Sequence, residues 1–105
     1  MNKFEIQLSG SGGQGVILAA IILADAAIKQ GLNAVQTQSY GPEARGGASK
    51  AEVIISKEEI YFPKVTKANI LLALTQNSYD KYIANLDKDG ILIVDDHIET
   101  DGDIP

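Results

Sequence analysis

The sequence predicts an α/β domain with a mostly parallel sheet, and three observations lead to that class. Residues 3–9 alternate apolar and polar side chains, which is the pattern of a strand. A glycine-rich turn and an apolar segment of helical length follow it directly. A second helical pattern separates two short apolar runs further along the chain. Strands that alternate with crossover helices in this way are typical of α/β proteins.

The individual elements follow from the same patterns in chain order. In the first half we expect a strand at 3–9, a helix from about Gln14 to Gln30 with Gly31 as its C-terminal cap, and strands at 34–39 and 48–56. In the second half we expect a connection at 57–68 with room for a turn of helix, a strand at 70–74, a helix at 77–87 capped by Asn77, a turn at "KDG" and a strand at 91–94. The segment 40–47 is a loop by its Gly and Pro content. It either connects parallel strands or forms a wide hairpin that makes one edge of the sheet antiparallel.

The composition of the chain excludes several classes of function. A length of 105 residues corresponds to one domain, 1–105, and a net charge of −5 argues against nucleic acid as a partner. The absence of cysteine excludes an iron–sulfur cluster held by thiolates, a disulfide and a thiol nucleophile. Residues 1–9 contain no long apolar run, and the run at 16–24 is far shorter than the ~20 residues that span a bilayer. We therefore expect a cytoplasmic protein that is not bound to a membrane.

The first helix indicates that the domain needs further cover. Its apolar residues point in most directions around the helix axis and are Val16, Ile17, Leu18, Ile21, Ile22 and Leu23. A helix that is apolar all round is buried on more than one side. Only two long helices accompany five strands, so one face of the sheet lacks cover. We expect the second cover to come from further sequence or from another subunit.

Gly10, Gly12 and Gly15 have the G-x-G-x-x-G spacing of a dinucleotide-binding loop, between a strand and a helix. Such a turn brings the backbone N–H groups of a helix N-terminus close to an anion. A dinucleotide site also needs an acidic residue at the end of the second strand, where it binds the ribose. Here that strand ends in Gln36–Ser39, and the nearest acid, Glu43, lies in the next loop. An NAD site is therefore disfavoured, and two interpretations remain: the glycines permit close helix–strand packing, or the loop approaches another ligand or a partner.

The loop "YGPEARGG", residues 40–47, follows the second strand and is expected at the same sheet edge as the glycine loop. It carries Tyr40, Glu43 and Arg45 between two glycine-containing hinges. The Arg45 guanidinium can bond an anion or a carboxylate in a bidentate way. The alternative is a solvated surface turn in which Arg45 pairs with Glu43 or with nothing.

Asp95, Asp96 and His97 follow the last strand and carry donor groups for a divalent metal. Neighbours in an extended segment point to opposite faces, so we interpret these three as a solvated turn and expect no metal site. No spacing in the sequence supports a Ser-His-Asp arrangement. We therefore expect no catalytic residue on this chain.

Three stretches of the sequence resemble the gamma subunits of 2-oxoacid:ferredoxin oxidoreductases, the pyruvate/ketoisovalerate oxidoreductase gamma family. They are "GSGGQGVILAAIILADAA", "VQTQSYGPEARGGASKAEVIIS" and "NILLALTQNSYDKY", within residues 4–95. The form "QSYGPEARGG" is most similar to the 2-oxoglutarate branch, and pyruvate and indolepyruvate enzymes have altered versions of this loop. Two long motifs in the same order make the resemblance far more specific than the glycine spacing alone.

The resemblance implies a Rossmann-like three-layer fold and a role in a larger enzyme. That enzyme oxidatively decarboxylates a 2-oxoacid, forms an acyl-CoA and passes two electrons to ferredoxin. Thiamine diphosphate lies between the alpha and beta subunits, iron–sulfur clusters lie on other subunits, including a ferredoxin-like delta subunit, and the gamma chain lies near the entry of coenzyme A. No cofactor is implied for the gamma chain alone. The residues that match the motif loops, and that we expect at a ligand or subunit interface, are Gly10, Gly12, Gly13, Gln14, Gly15, Tyr40, Gly41, Glu43, Arg45, Gly46 and Gly47.

Gamma subunits are typically longer, with a further helix and strand beyond this point. We therefore expect the 105 residues to be the N-terminal part of a gamma-subunit domain, truncated at its C-terminus and inactive alone. The alternative is a stand-alone nucleotide-binding module.

Overall fold

Five strands form one sheet with a helix on each face in the computed structural model, which describes residues 3–11, 15–40, 48–60 and 67–100. The elements in chain order are β1 (Lys3–Ser11), α1 (Val16–Lys29), β2 (Asn33–Tyr40), β3 (Ala48–Ser56), β4 (Ala68–Ala73), α2 (Gln76–Tyr82) and β5 (Leu86–Val94). A short 3₁₀ turn, Ile83–Asn85, joins α2 to β5. The strand order in the sheet is β2-β3-β1-β4-β5. The predicted three-layer α/β class is confirmed.

Four of the five strands run in the same direction, and only β3 opposes them. β1 pairs in parallel with β4, and β4 pairs in parallel with β5. β3 pairs antiparallel with both β1 and β2. The sheet is therefore mixed, and the wide hairpin considered for the segment between the second and third strands is the arrangement that forms.

The core on the α1 side is built from small residues of the helix and branched residues of the central strands. Ile6 and Leu8 of β1 and Val53 of β3 pack against the helix, whose buried residues are Val16, Ala20, Ala24 and Ala27. The three alanines let the helix lie close to the sheet, because they place only a methyl group between the two backbones. No helix in the described part of the chain is long and apolar enough to cross a membrane.

The core on the α2 side is divided into smaller clusters. Leu71 of β4 packs with Tyr82 of α2, and a neighbouring cluster joins Ala73, Tyr79 and Ile98. Ile98 belongs to the segment after β5, and that segment is held to α2 by a pair of hydrogen bonds. The Gln76 amide donates to the Glu99 carbonyl at 3.0 Å and accepts from the Glu99 N–H at 2.8 Å.

The two ends of α1 are set by glycines. Gly15 precedes the helix with φ +83°, and Gly31 follows it with φ +87°, a backbone conformation that favours glycine. The Gly31 N–H donates to the Ile28 carbonyl at 2.9 Å, and the Leu32 N–H donates to the Ala27 carbonyl at 3.1 Å. These bonds satisfy carbonyls in the last turn of the helix. The predicted role of Gly31 as the C-terminal cap is confirmed.

The N-cap of α2 differs from the prediction, because the helix begins at Gln76 and its cap is Thr75 rather than Asn77. The Thr75 hydroxyl accepts from the Ser78 N–H at 3.0 Å, and the Ser78 hydroxyl accepts from the Thr75 N–H at 3.2 Å. Both orphan donors are satisfied reciprocally, as in a capping box. The helix is also shorter than the predicted 77–87.

The predicted turn at "KDG" is wrong, because these residues lie inside β5, which begins at Leu86. The register between β4 and β5 shifts between Ala68 and Ile70, and this irregularity accommodates the polar residues. A Cβ at Gly90 would lie 2.7 Å from Leu86 Cδ1 and 3.0 Å from the Ala68 carbonyl oxygen. Glycine is thus required for close backbone approach within the strand. The predicted turn of helix in 57–68 lies largely outside the described residues.

Candidate functional site

Both glycine-containing loops leave the sheet at the same edge, which we call the loop edge. β1 ends at Ser11 and β2 ends at Tyr40, and both ends pair with the first residues of β3. Ser11 lies opposite Ala48, and Tyr40 lies opposite Ser49. The predicted proximity of the two loops is confirmed for the strand ends from which they start. Open α/β sheets place their ligand sites beyond such carboxyl ends.

The structure places three of the predicted site residues. Gly10 is buried in β1, Gly15 is the N-cap of α1, and Tyr40 is the last residue of β2. The remaining candidates lie outside the described residues and are Gly12, Gly13, Gln14, Gly41, Glu43, Arg45, Gly46 and Gly47. Their contacts with a ligand or a subunit stay a prediction.

The N-terminus of α1 opens toward the loop edge without a side-chain cap. Gly15 has no side chain to accept hydrogen bonds, so the first N–H groups of the helix are not satisfied by the capping residue. The Gly15 carbonyl accepts from the Ala19 N–H at 2.9 Å, which starts the helical ladder. A helix start of this kind presents a partial positive charge to its surroundings.

The strand order adds a second argument against a dinucleotide site. In dinucleotide-binding domains the second strand lies beside the first, which brings its acidic end close to the glycine loop. Here β3 lies between β1 and β2 and runs in the opposite direction. The place of the ribose-binding strand is therefore taken by an antiparallel one, in addition to the missing acid at Gln36–Ser39.

A buried polar cluster lies on the α2 side of the sheet, and it was not predicted from the sequence. Gln7 is fully buried and Glu52 is 6% exposed, and they are direct cross-strand partners. The Gln7 amide donates to Glu52 Oε2 at 2.9 Å, and Lys50 Nζ lies 3.3 Å from the same oxygen. The Thr37 hydroxyl donates to Glu52 Oε1 at 3.5 Å. The carboxylate thus has an amide, an ammonium and a hydroxyl as partners, as a buried charge requires.

Lys50 connects this cluster to α2 and to the loop edge. Its ammonium lies 5.5 Å from the centre of the Tyr82 ring, within the range of a cation–π contact. In register it pairs with Ser9 of β1, only two residues from the start of β3. A signal for the cluster was present in the sequence: polar residues at the centre of strands that are covered on both faces must find partners within the fold.

Asp95, Asp96 and His97 form a turn at the end of β5, where their side chains converge. Their ligand atoms all lie within 4.8 Å of one another, so the expectation that they point to opposite faces is wrong. The reason is that the chain turns here instead of staying extended. A side-chain hydrogen bond shared with Asp96, the hydrogen bond from the Asp96 N–H at 2.7 Å and the contact with His97 lower the pKa of Asp95. All three residues are exposed, as in a solvated turn.

Comparison with known proteins identifies the family. The sequence matches the family described as "Pyruvate ferredoxin/flavodoxin oxidoreductase" over residues 5–105. The chain belongs to this family. The resemblance to its gamma subunits, expected from the two motif loops, is confirmed by the relatives and solved structures that follow.

Within the pyruvate ferredoxin/flavodoxin oxidoreductase family, the chain is similar to KorC proteins. The 2-oxoglutarate synthase subunit KorC of Methanocaldococcus jannaschii is 55% identical over 102 residues, which make up 96% of this chain and 54% of KorC. The chain thus spans about half the length of the curated relatives it matches.

Two solved structures of oxidoreductases share the fold. The gamma subunit of a keto/oxoacid ferredoxin oxidoreductase from Geobacter sulfurreducens matches with a TM-score of 0.76 and 55% identity, over 90% of this chain and 52% of that subunit. A 2-oxoglutarate:ferredoxin oxidoreductase from Magnetococcus marinus matches over the whole chain with a TM-score of 0.87, but over only 18% of its own length. At 22% identity the second match supports the fold alone.

Proposed function

We propose that this chain acts as a gamma component of a 2-oxoglutarate:ferredoxin oxidoreductase. In this role it supports oxidative decarboxylation of a 2-oxoacid to an acyl-CoA, with electrons passed to ferredoxin. The observation that carries the proposal is the 55% identity to KorC across nearly all of the chain. The common origin of both motif loops at the loop edge supports it, because one edge of the sheet can then face one neighbour.

The proposed role is structural rather than catalytic. The chain has no cysteine, so iron–sulfur clusters are assigned to other subunits, including a ferredoxin-like delta subunit. Thiamine diphosphate is assigned to the alpha and beta subunits, which are the proposed partners. The complex is proposed to lie in the cytoplasm, and the chain is proposed to be inactive alone. Residues 1–105 are proposed to form part of one gamma-subunit domain.

The loop edge is the proposed contact with coenzyme A or with a neighbouring subunit. The uncapped start of α1 brings a partial positive charge to this edge. Arg45, the only arginine in the sequence, belongs to the loop between β2 and β3. Phosphate groups and carboxylates are the natural partners of such a set of donors.

Reconstitution with the alpha, beta and delta subunits tests the proposal. The chain is mixed with these subunits, and 2-oxoglutarate-dependent reduction of ferredoxin is measured with and without coenzyme A. We expect the chain to co-purify with the thiamine-binding subunits and to raise this activity. A chain that never associates with them would contradict the proposal.

Titration calorimetry tests the alternative interpretation, in which the chain is a stand-alone nucleotide-binding module. The chain alone is titrated with NADH, ATP and coenzyme A. We expect weak or no binding of NADH, because the ribose-binding acid is missing and β3 separates β1 from β2. Micromolar binding of NADH would favour the module over the subunit.

Replacing Arg45 shows whether this residue serves the activity of the enzyme or the stability of the chain. We expect Arg45→Ala to lower the activity of the assembled enzyme by about tenfold, the loss of one charge-assisted contact, while unfolding of the chain changes little. Arg45→Lys should restore part of the activity, and Lys57→Ala in the exposed segment after β3 is the matched control. An equal loss of stability in Arg45→Ala would make the residue structural.

A further inference from the structure

One side of the molecule carries a broad apolar surface. Among the described residues, the large hydrophobic side chains that are more than two-fifths exposed range from 44% for Ile21 to 61% for Leu18. They form what we call the α1-side apolar surface, which consists of Leu18, Ile21, Ile22, Ile28, Ile91 and Ile93. Soluble monomers rarely expose many large apolar side chains on one side, and large exposed apolar patches mark contact surfaces.

The helix and strand parts of this surface lie on the same side of the sheet. In register, Ile91 of β5 pairs with Ile70 of β4, and Ile93 pairs with Leu72. Ile70 and Leu72 pack at the margin of the cluster that holds α1, so Ile91 and Ile93 face the α1 side as well. α1 lies over β1, β2 and β3, and it leaves β5 uncovered.

The opposite side of the sheet has no comparable surface within the described part of the chain. There the large apolar side chains Leu71, Tyr79 and Tyr82 are buried, and the segment after β5 folds back onto α2. The exposure is therefore specific to one side and is not a general property of a small domain.

The relatives indicate what covers this side. The match takes up 54% of KorC from Methanocaldococcus jannaschii and 52% of the Geobacter gamma subunit, so each carries nearly as many residues again. A further segment of that size must bury its own apolar residues, and a 105-residue domain has little interior to spare. Within the described residues, the large apolar side chains that are more than two-fifths exposed all belong to the α1-side apolar surface.

We infer that the α1-side apolar surface is the docking surface for the additional sequence that the KorC relatives carry outside the matched half. The segment packs against the outer face of α1 and the adjoining face of β5, and it completes the layer that α1 begins. This inference rests on family membership and on the exposed residues, and it is independent of the proposed activity.

Single-cysteine labelling tests this inference, because the chain has no cysteine of its own. Ile22→Cys and Ile93→Cys place a thiol on each part of the surface, and Lys81→Cys on α2 is the control on the opposite side. Each variant is co-expressed with the unmatched segment of Methanocaldococcus jannaschii KorC as a separate tagged polypeptide. Maleimide labelling of this thiol is followed by mass spectrometry, in the purified complex and in the chain alone.

We expect a stable complex in which labelling of Ile22→Cys and Ile93→Cys slows by about tenfold or more, as for thiols buried at an interface, while Lys81→Cys is unaffected. Failure to form a complex, or a complex in which both thiols label at the rate of the free chain, would overturn the inference. Concentration-dependent protection in the chain alone would overturn it too, because the surface would then serve a second copy. Circular dichroism of each variant checks that the fold is intact.

Discussion

The two sides of the sheet differ in how completely they bury their apolar side chains. On the α2 side, short clusters of buried apolar residues surround a polar network in which Gln7, Glu52 and Lys50 satisfy one another. On the α1 side, a helix of 14 residues packs closely through alanines and then turns large aliphatic side chains outward. In the described residues, the large apolar side chains of the α2 side are buried, whereas on the α1 side the helix buries one face and exposes the other.

The difference shows that a helix can be well packed and still incomplete. The buried face of α1 accounts for its attachment to the sheet, and the outer face adds no stability to the chain itself because it stays in water. The stability of the chain should therefore depend on the α2 side and on the inner face of α1. Substitutions on the outer face should hardly change the free energy of unfolding of the chain alone.

The largest effect is expected from the same substitution made on the two sides. Leu71 is fully buried and Leu18 is 61% exposed. Leu71→Ala should lower the free energy of unfolding by about 2–5 kcal/mol, the usual cost of a cavity. Leu18→Ala should change it by less than about 0.5 kcal/mol, since it leaves no cavity and alanine favours the helix. Urea unfolding followed by circular dichroism measures both, and similar losses would contradict the contrast.

A double-mutant cycle measures how the polar network supports the α2 side. Gln7→Leu or Glu52→Leu alone removes one partner of a buried hydrogen bond and should cost about 1–3 kcal/mol in the free energy of unfolding. The double variant should cost less than the sum of the two, because it removes both partners of the 2.9 Å hydrogen bond. Strict additivity would show that the two side chains stabilise the fold independently.

The two helices also differ in how their N-termini are capped. Thr75 caps α2 with its side chain, whereas Gly15 offers none to α1. Thr75→Ala should lower the free energy of unfolding by about 1 kcal/mol, and Thr75→Ser should retain most of that stability because the hydroxyl remains. Thermal unfolding of the two variants gives the comparison. An unchanged midpoint in Thr75→Ala would mean that packing alone holds α2.

The smallest effect is expected from the exposed turn after β5. Asp95 has its pKa lowered from 3.8 in the folded chain, so its contacts stabilise the fold when the carboxyl is ionised. That contribution is complete above the unfolded pKa and is lost as the pH falls through the folded pKa. Asp95→Asn should slightly reduce stability at neutral pH and converge with the parent in acid. Unfolding at pH 7 and below pH 3 tests this, and a constant difference would contradict it.

Local patterns in the sequence predicted most elements but not their arrangement. Alternation of apolar residues identified β1 and β3, and Gly31 marked the end of α1 through its need for a positive φ. The direction of β3 depends on pairing between residues distant in sequence, and no local pattern carries that information. The misplaced turn at 88–90 has the same origin, because polar residues with a glycine favour a turn locally. In the sheet these residues lie in the register irregularity between the pairs Ala68–Leu86 and Ile70–Ile91, which only the long-range pairing defines.

The candidate site was predicted in a similarly uneven way. The two loops were assigned to one edge of the sheet from the general rule for α/β proteins, and β1 and β2 end there. The cap at Thr75 could have been found from the Thr-x-x-Ser spacing, but Asn77 is an equally common cap residue. The pairing of Gln7 with Glu52 needed the register of the sheet, which follows only from the complete topology.

The antiparallel position of β3 has a consequence for how this family can diversify. Tyr40 and Ser49 are cross-strand partners, so the ladder holds the two ends of the intervening segment about 5 Å apart whatever its sequence. The free energy of closing such a segment rises by only about 0.6 kcal/mol when its length doubles. The segment between Tyr40 and Ala48 can therefore change in sequence or length at a small cost in folding free energy. The register of β2 and β3 and the hydrogen bonds of the Glu52 carboxylate do not depend on it.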